Sequence, residues 1–315
     1  MAIKATKVQG APPAAAANAP RPRKRGKRVL IYGEGGVGKT TLATKLKGKT
    51  LFFDLEGSLD DLFDELPPNI VKVEPSDWET MEKYLASDNV LKYDNVVVDS
   101  LTALETMFWR YIATHCRKAK EGYGMVNFFD TPLPPLKDEK ELGGGGCDSA
   151  KYAMWTRFEG FVNYLSAEGL NFVNICHECV KEREDPSDGI DIKHQPRLNE
   201  PSSGKNSIRN RAVEVHGEVW FIKWEVLTRP TKEGEEPKPG KKTGRRIVLG
   251  QPDEEHAADF VGVLSKSRRG FSTAYLDEFD INAVLGIGGA QAAPAPSAPA
   301  PAPAPAAEPP PPAAE

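Results

Sequence analysis

The sequence predicts an α/β fold: a mainly parallel sheet flanked by helices on both faces, with an antiparallel extension at one edge. Three observations predict it. From residue 28 to residue 176, apolar runs of strand length alternate with helical patterns, the order that builds parallel strands joined by crossover helices. A glycine-rich turn joins the first strand directly to the first helix. The last apolar runs, at 215–227 and 245–249, are separated only by a charged, Gly/Pro-containing loop at 230–244, as in antiparallel neighbours.

Arg28–Tyr32 reads as the first strand, and Lys39–Leu46 as the helix after the turn. Thr50–Leu55 is a second strand. The Pro75-Ser76-Asp77 start signal predicts a helix over Trp78–Ser87. Asn95–Asp99 is a continuous apolar strand followed by a helix over Leu101–Cys116. Residues 120–149 read as loop, ending in the run Gly143–Gly146; a helix over Tyr152–Glu168 and a strand over Leu170–Cys176 follow. The stretch 178–212 is polar, and no internal repeat is visible.

Both ends are of low complexity. Residues 11–20 are mostly Ala and Pro and lead into the basic cluster Arg21–Arg28. Of the 26 residues from Ala290 onward, 22 are Ala or Pro. Neither end has large apolar groups to bury, so 1–27 is expected to be a disordered basic arm, 28–287 the folded domain and 288–315 a disordered Ala/Pro-rich tail. The 315 residues carry a net charge of −4. Setting aside eight cations before residue 29 and two acids in the tail leaves the body at −10, which excludes a uniformly basic nucleic-acid coat. Four cysteines make no disulfide scaffold and point to a reducing, cytoplasmic compartment. No apolar run reaches the roughly 18 residues of a membrane span, so no membrane partner is expected.

The sharpest signal is Gly33-Glu34-Gly35-Gly36-Val37-Gly38-Lys39-Thr40, a full G-x-x-x-x-G-K-[ST] phosphate loop between an apolar strand and a helix. Glycines let successive N–H groups curl toward phosphate oxygens, and the helix N-terminus adds partial positive charge. Gly33 through Thr41 are the expected nucleotide-binding residues, with Lys39 on the β- and γ-phosphates. Thr40 and Asp99, an acid ending a buried strand, are the expected Mg²⁺ ligands, which makes Mg²⁺ and ATP the expected cofactor and substrate. Partition ATPases of the ParA type carry a lysine where this chain has Glu34, and the Ser-Gly-Gly-Gln signature of ABC ATPases is absent. AAA+ proteins usually follow the strand-ending aspartate with glutamate; here Ser100 follows, so the catalytic carboxylate is sought elsewhere.

The segment Leu51-Phe52-Phe53-Asp54-Leu55-Glu56 resembles the Asp-x-Glu strand end of the RecA family, and Val96-Val97-Val98-Asp99-Ser100-Leu101-Thr102-Ala103-Leu104 resembles its second phosphate-site strand. His177 ends a strand where RecA has a glutamine and the KaiC and RadA relatives a histidine; Lys266-Ser267-Arg268 resembles the Lys-x-Arg element of RadA-like proteins. The four matches fall in the family's order over about 28–272. The chain is most similar to the small RecA-like ATPases of bacteriophages, with His177-Glu178, Pro196 and Glu218-Val219 adding to the likeness. This resemblance implies that Glu56 activates water, that His177 senses the γ-phosphate, and that Lys266 and Arg268 act in trans on a neighbour's nucleotide. It further implies a homo-oligomer, single-stranded DNA as partner, a single-strand-binding protein as a candidate partner, and annealing or recombination in the host cytoplasm. In RecA relatives the loop after the sensor grips DNA; here Lys193, Arg197, Lys205, Arg209 and Arg211 lie in that stretch. The 230–246 loop, with Lys232, Lys238, Lys241, Lys242, Arg245 and Arg246, and the basic arm are further candidates.

No zinc is expected: Cys176-His177-Glu178-Cys179 lacks a second ligand pair at suitable spacing. A P-loop kinase acting on a small molecule, or a nucleotide-switched binding module with negligible turnover, are the alternatives to an ATPase.

Overall fold

A computed structural model of the chain describes residues 24–120, 123–143, 145–185, 189–227, 241–254 and 256–287. The expected disordered arm before Lys24, the tail after Ile287 and Lys232 and Lys238 lie outside these residues. The elements in chain order are β1 (Arg28–Gly33), α1 (Lys39–Thr44), β2 (Thr50–Asp54), α2 (Ser58–Leu62), β3 (Ile70–Val73), α3 (Trp78–Ala86), β4 (Asn95–Asp99), α4 (Leu101–His115), β5 (Cys116–Lys118), β6 (Val126–Phe128), α5 (Gly146–Ala167), β7 (Asn171–Asp185), β8 (Gly189–Pro196), α6 (Ile208–Val215), β9 (Glu218–Leu227), β10 (Lys241–Leu249), β11 (Lys266–Ser267), β12 (Thr273–Tyr275) and α7 (Ile281–Leu285).

The main sheet runs β12-β10-β9-β1-β7-β4-β2-β3, with β11 added to β9 and β8 to β7. From β9 to β3 the neighbours on this path are parallel, and β10 and β12 extend the edge antiparallel, as the sequence predicts. The central strands show no polar alternation because both faces are covered. Leu30, Tyr32, Phe53, Val98, Phe172 and Phe221 point into one apolar layer with α3, α4, α5 and α6. Their alternates Val29, Ile31, Phe52, Val97, Val173 and Trp220 point into the other, with α1, α2 and α7. Trp78, Phe108 and Phe158 pack edge-to-face at the centre of the first layer, where deleting one ring would cost about 3–5 kcal/mol.

Four expectations are corrected. The domain does not start at residue 28: Gly26 N–H donates to Ser166 O (2.8 Å), so Lys24–Lys27 are already part of the body. Helix α5 starts at Gly146, not Tyr152, and β5 and β6 form a small ladder within 116–128. The strand expected to end at Cys176 continues to Asp185, pairing antiparallel with β8. The polar stretch 178–212 is therefore a hairpin followed by α6, not a loop. Val180, Lys181, Glu182 and Ile192 on its two strands are exposed, and periodicity does not separate such a hairpin from a loop.

Candidate nucleotide site

The site lies at the C-terminal edge of the parallel strands, where strand ends and helix starts meet. Strand β1 ends at Gly33, and the phosphate loop turns back through Gly38, at φ +99°, into α1. The left-handed φ favours glycine, and a Cβ there would lie 2.9 Å from Leu276 Cδ2 and 3.0 Å from Arg246 Nη1, side-chain ends that would have to shift. Glu34, Gly35 and Gly36 are exposed, as a loop receiving a ligand must be, while Val37 anchors the loop in the core. Thr41 is exposed one residue into the helix from Thr40.

Lys39 is only 7% exposed. Its ammonium donates to Gly33 O (3.0 Å) and Glu34 O (2.8 Å), spanning the loop it is expected to complete. Burial lowers its pKa, with Asp99 opposing that shift. Thr40 Oγ1 donates to Asp99 Oδ2 at 2.5 Å. Asp99 ends β4 at 2% exposure, and burial, with added repulsion from Glu56 and Asp54, raises its pKa to about 6. A hydroxyl and a buried carboxylate in contact form a hard-oxygen pair that fits Mg²⁺, a cation that keeps several waters and takes few protein ligands. Among the described residues no three His, Cys, Asp or Glu side chains form a metal cluster.

Glu56 lies just past β2, the neighbour of β4. Ser100 Oγ donates to Glu56 Oε1 (2.7 Å), and His177 Nε2 lies 2.9 Å and 3.1 Å from its two oxygens. The His177 hydrogen bond leads the causes that lower the Glu56 pKa; burial opposes it and the Ser100 bond adds to it. Asp54, two residues earlier, accepts from Ser58 N and Leu59 N and so caps α2, which leaves Glu56 as the carboxylate facing the site. Lys39, Thr40, Asp99, Glu56 and His177, from four segments, thus converge on one edge.

The sequence reading assigned no role to two residues here and a different one to a third. Ser100 both caps α4, accepting from Ala103 N, and orients Glu56. Thr102 Oγ1 accepts from His177 N (3.2 Å). A serine and a threonine opening a helix look like caps in sequence. Arg246, placed by sequence in a DNA loop, instead lies on β10 with its guanidinium against Gly38, paired with Asp277 at 3.3 Å. Arg245 lies over the Tyr275 ring and pairs with Glu278.

The other candidates separate. Lys193 sits on β8 opposite Lys181, Arg197 is exposed beside His177 in space, its N–H donating to His177 O (2.8 Å), and Lys205 is exposed in the following turn. Arg209 and Arg211 are not free for DNA. Arg209 is 6% exposed and paired with Glu200, and Arg211 is held by Glu159 and Glu214. Lys266 and Arg268 lie at the opposite sheet edge, where Lys266 pairs in register with Val219 near the start of β9 and its amine donates to Val213 O. They are therefore not part of this chain's own nucleotide edge. Cys176 is buried in the strand, its thiol pushed up to about 12 by burial, as for a small hydrophobe.

A strand, a phosphate loop with its buried lysine, and a Thr–Asp pair together define a P-loop nucleotide-binding domain. The AAA domain family matches residues 25–258, and the chain belongs to it. No curated protein matches the chain. Among solved structures, the RadB recombinase aligns over 80% of this chain and 86% of its own, at 14% identity and a TM-score of 0.40. Flagellar accessory protein FlaH from Methanocaldococcus jannaschii aligns over 72% and 78%, at 8% identity and a TM-score of 0.35. Among the described residues no helix is long and apolar enough to cross a membrane.

Proposed function

We propose that the protein is a Mg²⁺-dependent ATP hydrolase with a RecA-like core, coupled to single-stranded DNA in phage recombination or replication. The observation that carries the proposal is Glu56, held by Ser100 and His177 beside the Lys39–Thr40–Asp99 group. Its lowered pKa keeps it ionised at neutral pH, as a base for water must be. In the reaction Glu56 takes a proton from water as the water oxygen bonds to the γ-phosphorus and the bond to the β,γ-bridging oxygen breaks, leaving ADP and phosphate. Lys39 and the loop N–H groups orient the phosphates. Thr40 and Asp99 would hold Mg²⁺, which when bound supplies charge neutralisation on the β- and γ-phosphates. His177 couples the state of Glu56 to β7 and its hairpin.

The DNA reading is supported by the position of that hairpin, by exposed Arg197 and Lys205, and by Lys193 on β8. Annealing with a single-strand-binding protein, homo-oligomers completed by Lys266 and Arg268, and action in the host cytoplasm belong to the same proposal. Steady-state ATPase measured with and without single-stranded DNA tests it, with Lys39→Ala as the inactive baseline. Stimulation is expected. Fast turnover indifferent to DNA would replace it with a kinase or unrelated ATPase, and nucleotide binding without turnover with a switch.

A further inference from the structure

The sheet edge opposite the nucleotide site gathers cations from distant parts of the chain. Lys24, Arg25 and Lys27, just before β1, line a cavity of about 390 Å³ with Lys47 from the turn before β2. The segment that carries the first three is fixed. Gly26 exchanges hydrogen bonds with Ser166, both 2.8 Å, and Lys27 N donates to Asn171 Oδ1 (3.0 Å). A Cβ on Gly26 would lie 1.8 Å from Leu170 O, so only glycine lets the backbone press this close. The lysines and arginine are therefore presented from an anchored backbone.

Among the described residues, acids act on these cations without pairing with them, Glu218 on Lys27 and Asp280 on Lys47. Asp94 is the carboxylate among the lining residues, and it accepts from Lys49 N at 2.7 Å. Among the described residues none of the four cations is in an ion pair. Arg269 stands at the rim, donating to Val284 O at 3.3 Å, with Nη1 at 3.2 Å from where a Cβ on the lining residue Gly286 would be. Burial first, then Arg269 and Lys24, lower the Lys27 pKa against the pull of Glu218; burial, then Arg25 and Arg268, lower that of Arg28 against the pull of Glu159. Like charges left facing one another inside an acidic body favour an anion between them.

We propose that this edge is a second nucleic-acid contact, taking the phosphodiester backbone of a strand without reading its bases. The inference rests on the DNA reading above and adds to it a surface across the sheet from the hairpin. A strand is favoured over a lone phosphate because the cations come from separate segments and continue past the cavity, to Arg269 beside Gly286 and to Arg268, whose Cδ lies 3.8 Å from where a Cβ on Gly217 would be, next to Arg28 O. Among the described residues no aromatic side chain lines the cavity, so none there stacks a base.

The test uses the full chain and a fluorescent oligothymidylate, with anisotropy titrations over a salt series. The variant Lys24→Ala/Arg25→Ala/Lys27→Ala/Arg269→Ala should bind at least ~10-fold more weakly at low salt. Its log-affinity against log-salt slope should flatten by about 2–3, since each single-strand phosphate contact contributes ~0.7. The charge-keeping Lys24→Arg/Lys27→Arg protein should bind like the parent, and a fluorescent ATP analogue should bind both alike. Should the quadruple variant fail to fold, Lys24→Glu, at an exposed position, should flatten the slope by ~0.7 or more. An unchanged slope in the edge variant, with binding lost in Arg197→Ala/Lys205→Ala, overturns the inference and leaves the DNA reading standing. A parent protein that binds no strand overturns both. If inorganic tripolyphosphate binding falls in the edge variant while strand binding is intact, the site takes free phosphate and the inference is also overturned.

Discussion

Replacing Asp99 with asparagine should stabilise the metal-free protein at neutral pH while abolishing turnover. Asp99 is 2% exposed, and burial, followed by repulsion from Glu56 and Asp54, lifts its pKa from 3.8 to about 6 against the pull of Thr40 and Lys39. Between about pH 4 and pH 6 the folded state keeps a proton that the unfolded state has released. Stability therefore falls as pH rises through that window, and is fully present only below the unfolded pKa. A shift of roughly two units corresponds to about 3 kcal/mol by pH 7. Asparagine keeps an oxygen facing Thr40 Oγ1 and removes the charge, so Asp99→Asn should return about 1–3 kcal/mol. Urea unfolding in EDTA at pH 4, 5, 6 and 7.5 reads this directly. The two proteins should be nearly equal at pH 4, with a gap in favour of the variant that opens by pH 6 and then levels. A gap independent of pH, or a variant less stable at pH 7.5, would refute the account of Asp99 as a strained, buried anion waiting for a cation.

Glu56→Gln should lower kcat by about 10²–10⁴-fold with ATP affinity little changed, because only the transition state uses the base; phosphate release and equilibrium binding measure the two separately. Gly38→Ala should abolish nucleotide binding and cost about 1–3 kcal/mol of stability, since φ +99° strains an alanine and its methyl would displace the ends of Leu276 and Arg246 beside the phosphate loop. Gly36→Ala, at φ +72° with open space around it, should cost only about 1 kcal/mol by thermal unfolding. Arg268→Ala and Glu56→Gln proteins, each nearly inactive, should recover activity when mixed; no recovery would remove Lys266 and Arg268 from the site.

The nucleotide edge was legible because its signals are local. A phosphate loop, a strand ending in Asp99 and a strand ending near Glu56 each announce themselves within ten residues, and the parallel order follows from strand–helix alternation. The hairpin was not legible: β7 changes from a buried strand to a solvated one at His177, and the apolar run that marks it stops there. Short edge strands such as β3, β8 and β12 are specified by pairing with neighbours rather than by pattern. Arg209 and Arg211 were misread because charge in sequence does not show its partners, here Glu200 and Glu159. The cationic edge was hidden for a related reason: residues 24–27 and 269 are far apart in the chain and meet only through the fold.

The proposed coupling between nucleotide and hairpin would run through the continuity of β7. His177 faces Glu56, and the same strand carries the hairpin onward without a break. Its peptide is held from two sides: the N–H donates to Thr102 Oγ1 (3.2 Å), and the carbonyl accepts from Arg197 N (2.8 Å). Thr102 also donates to Arg197 O at 3.4 Å, which ties the start of α4 to the residue just beyond β8. A shift of His177 on loss of the γ-phosphate would thus move both arms of the hairpin root together. Thr102→Val keeps the shape but leaves the His177 N–H without its acceptor, a cost of about 1–3 kcal/mol that the strand can relieve only by moving. Basal kcat should stay within a few-fold, because Thr102 touches neither Glu56 nor the phosphate loop. Stimulation by single-stranded DNA should fall several-fold toward none. Full stimulation in a Thr102→Val protein of normal thermal stability would show that the hairpin answers to the nucleotide by some route other than this peptide.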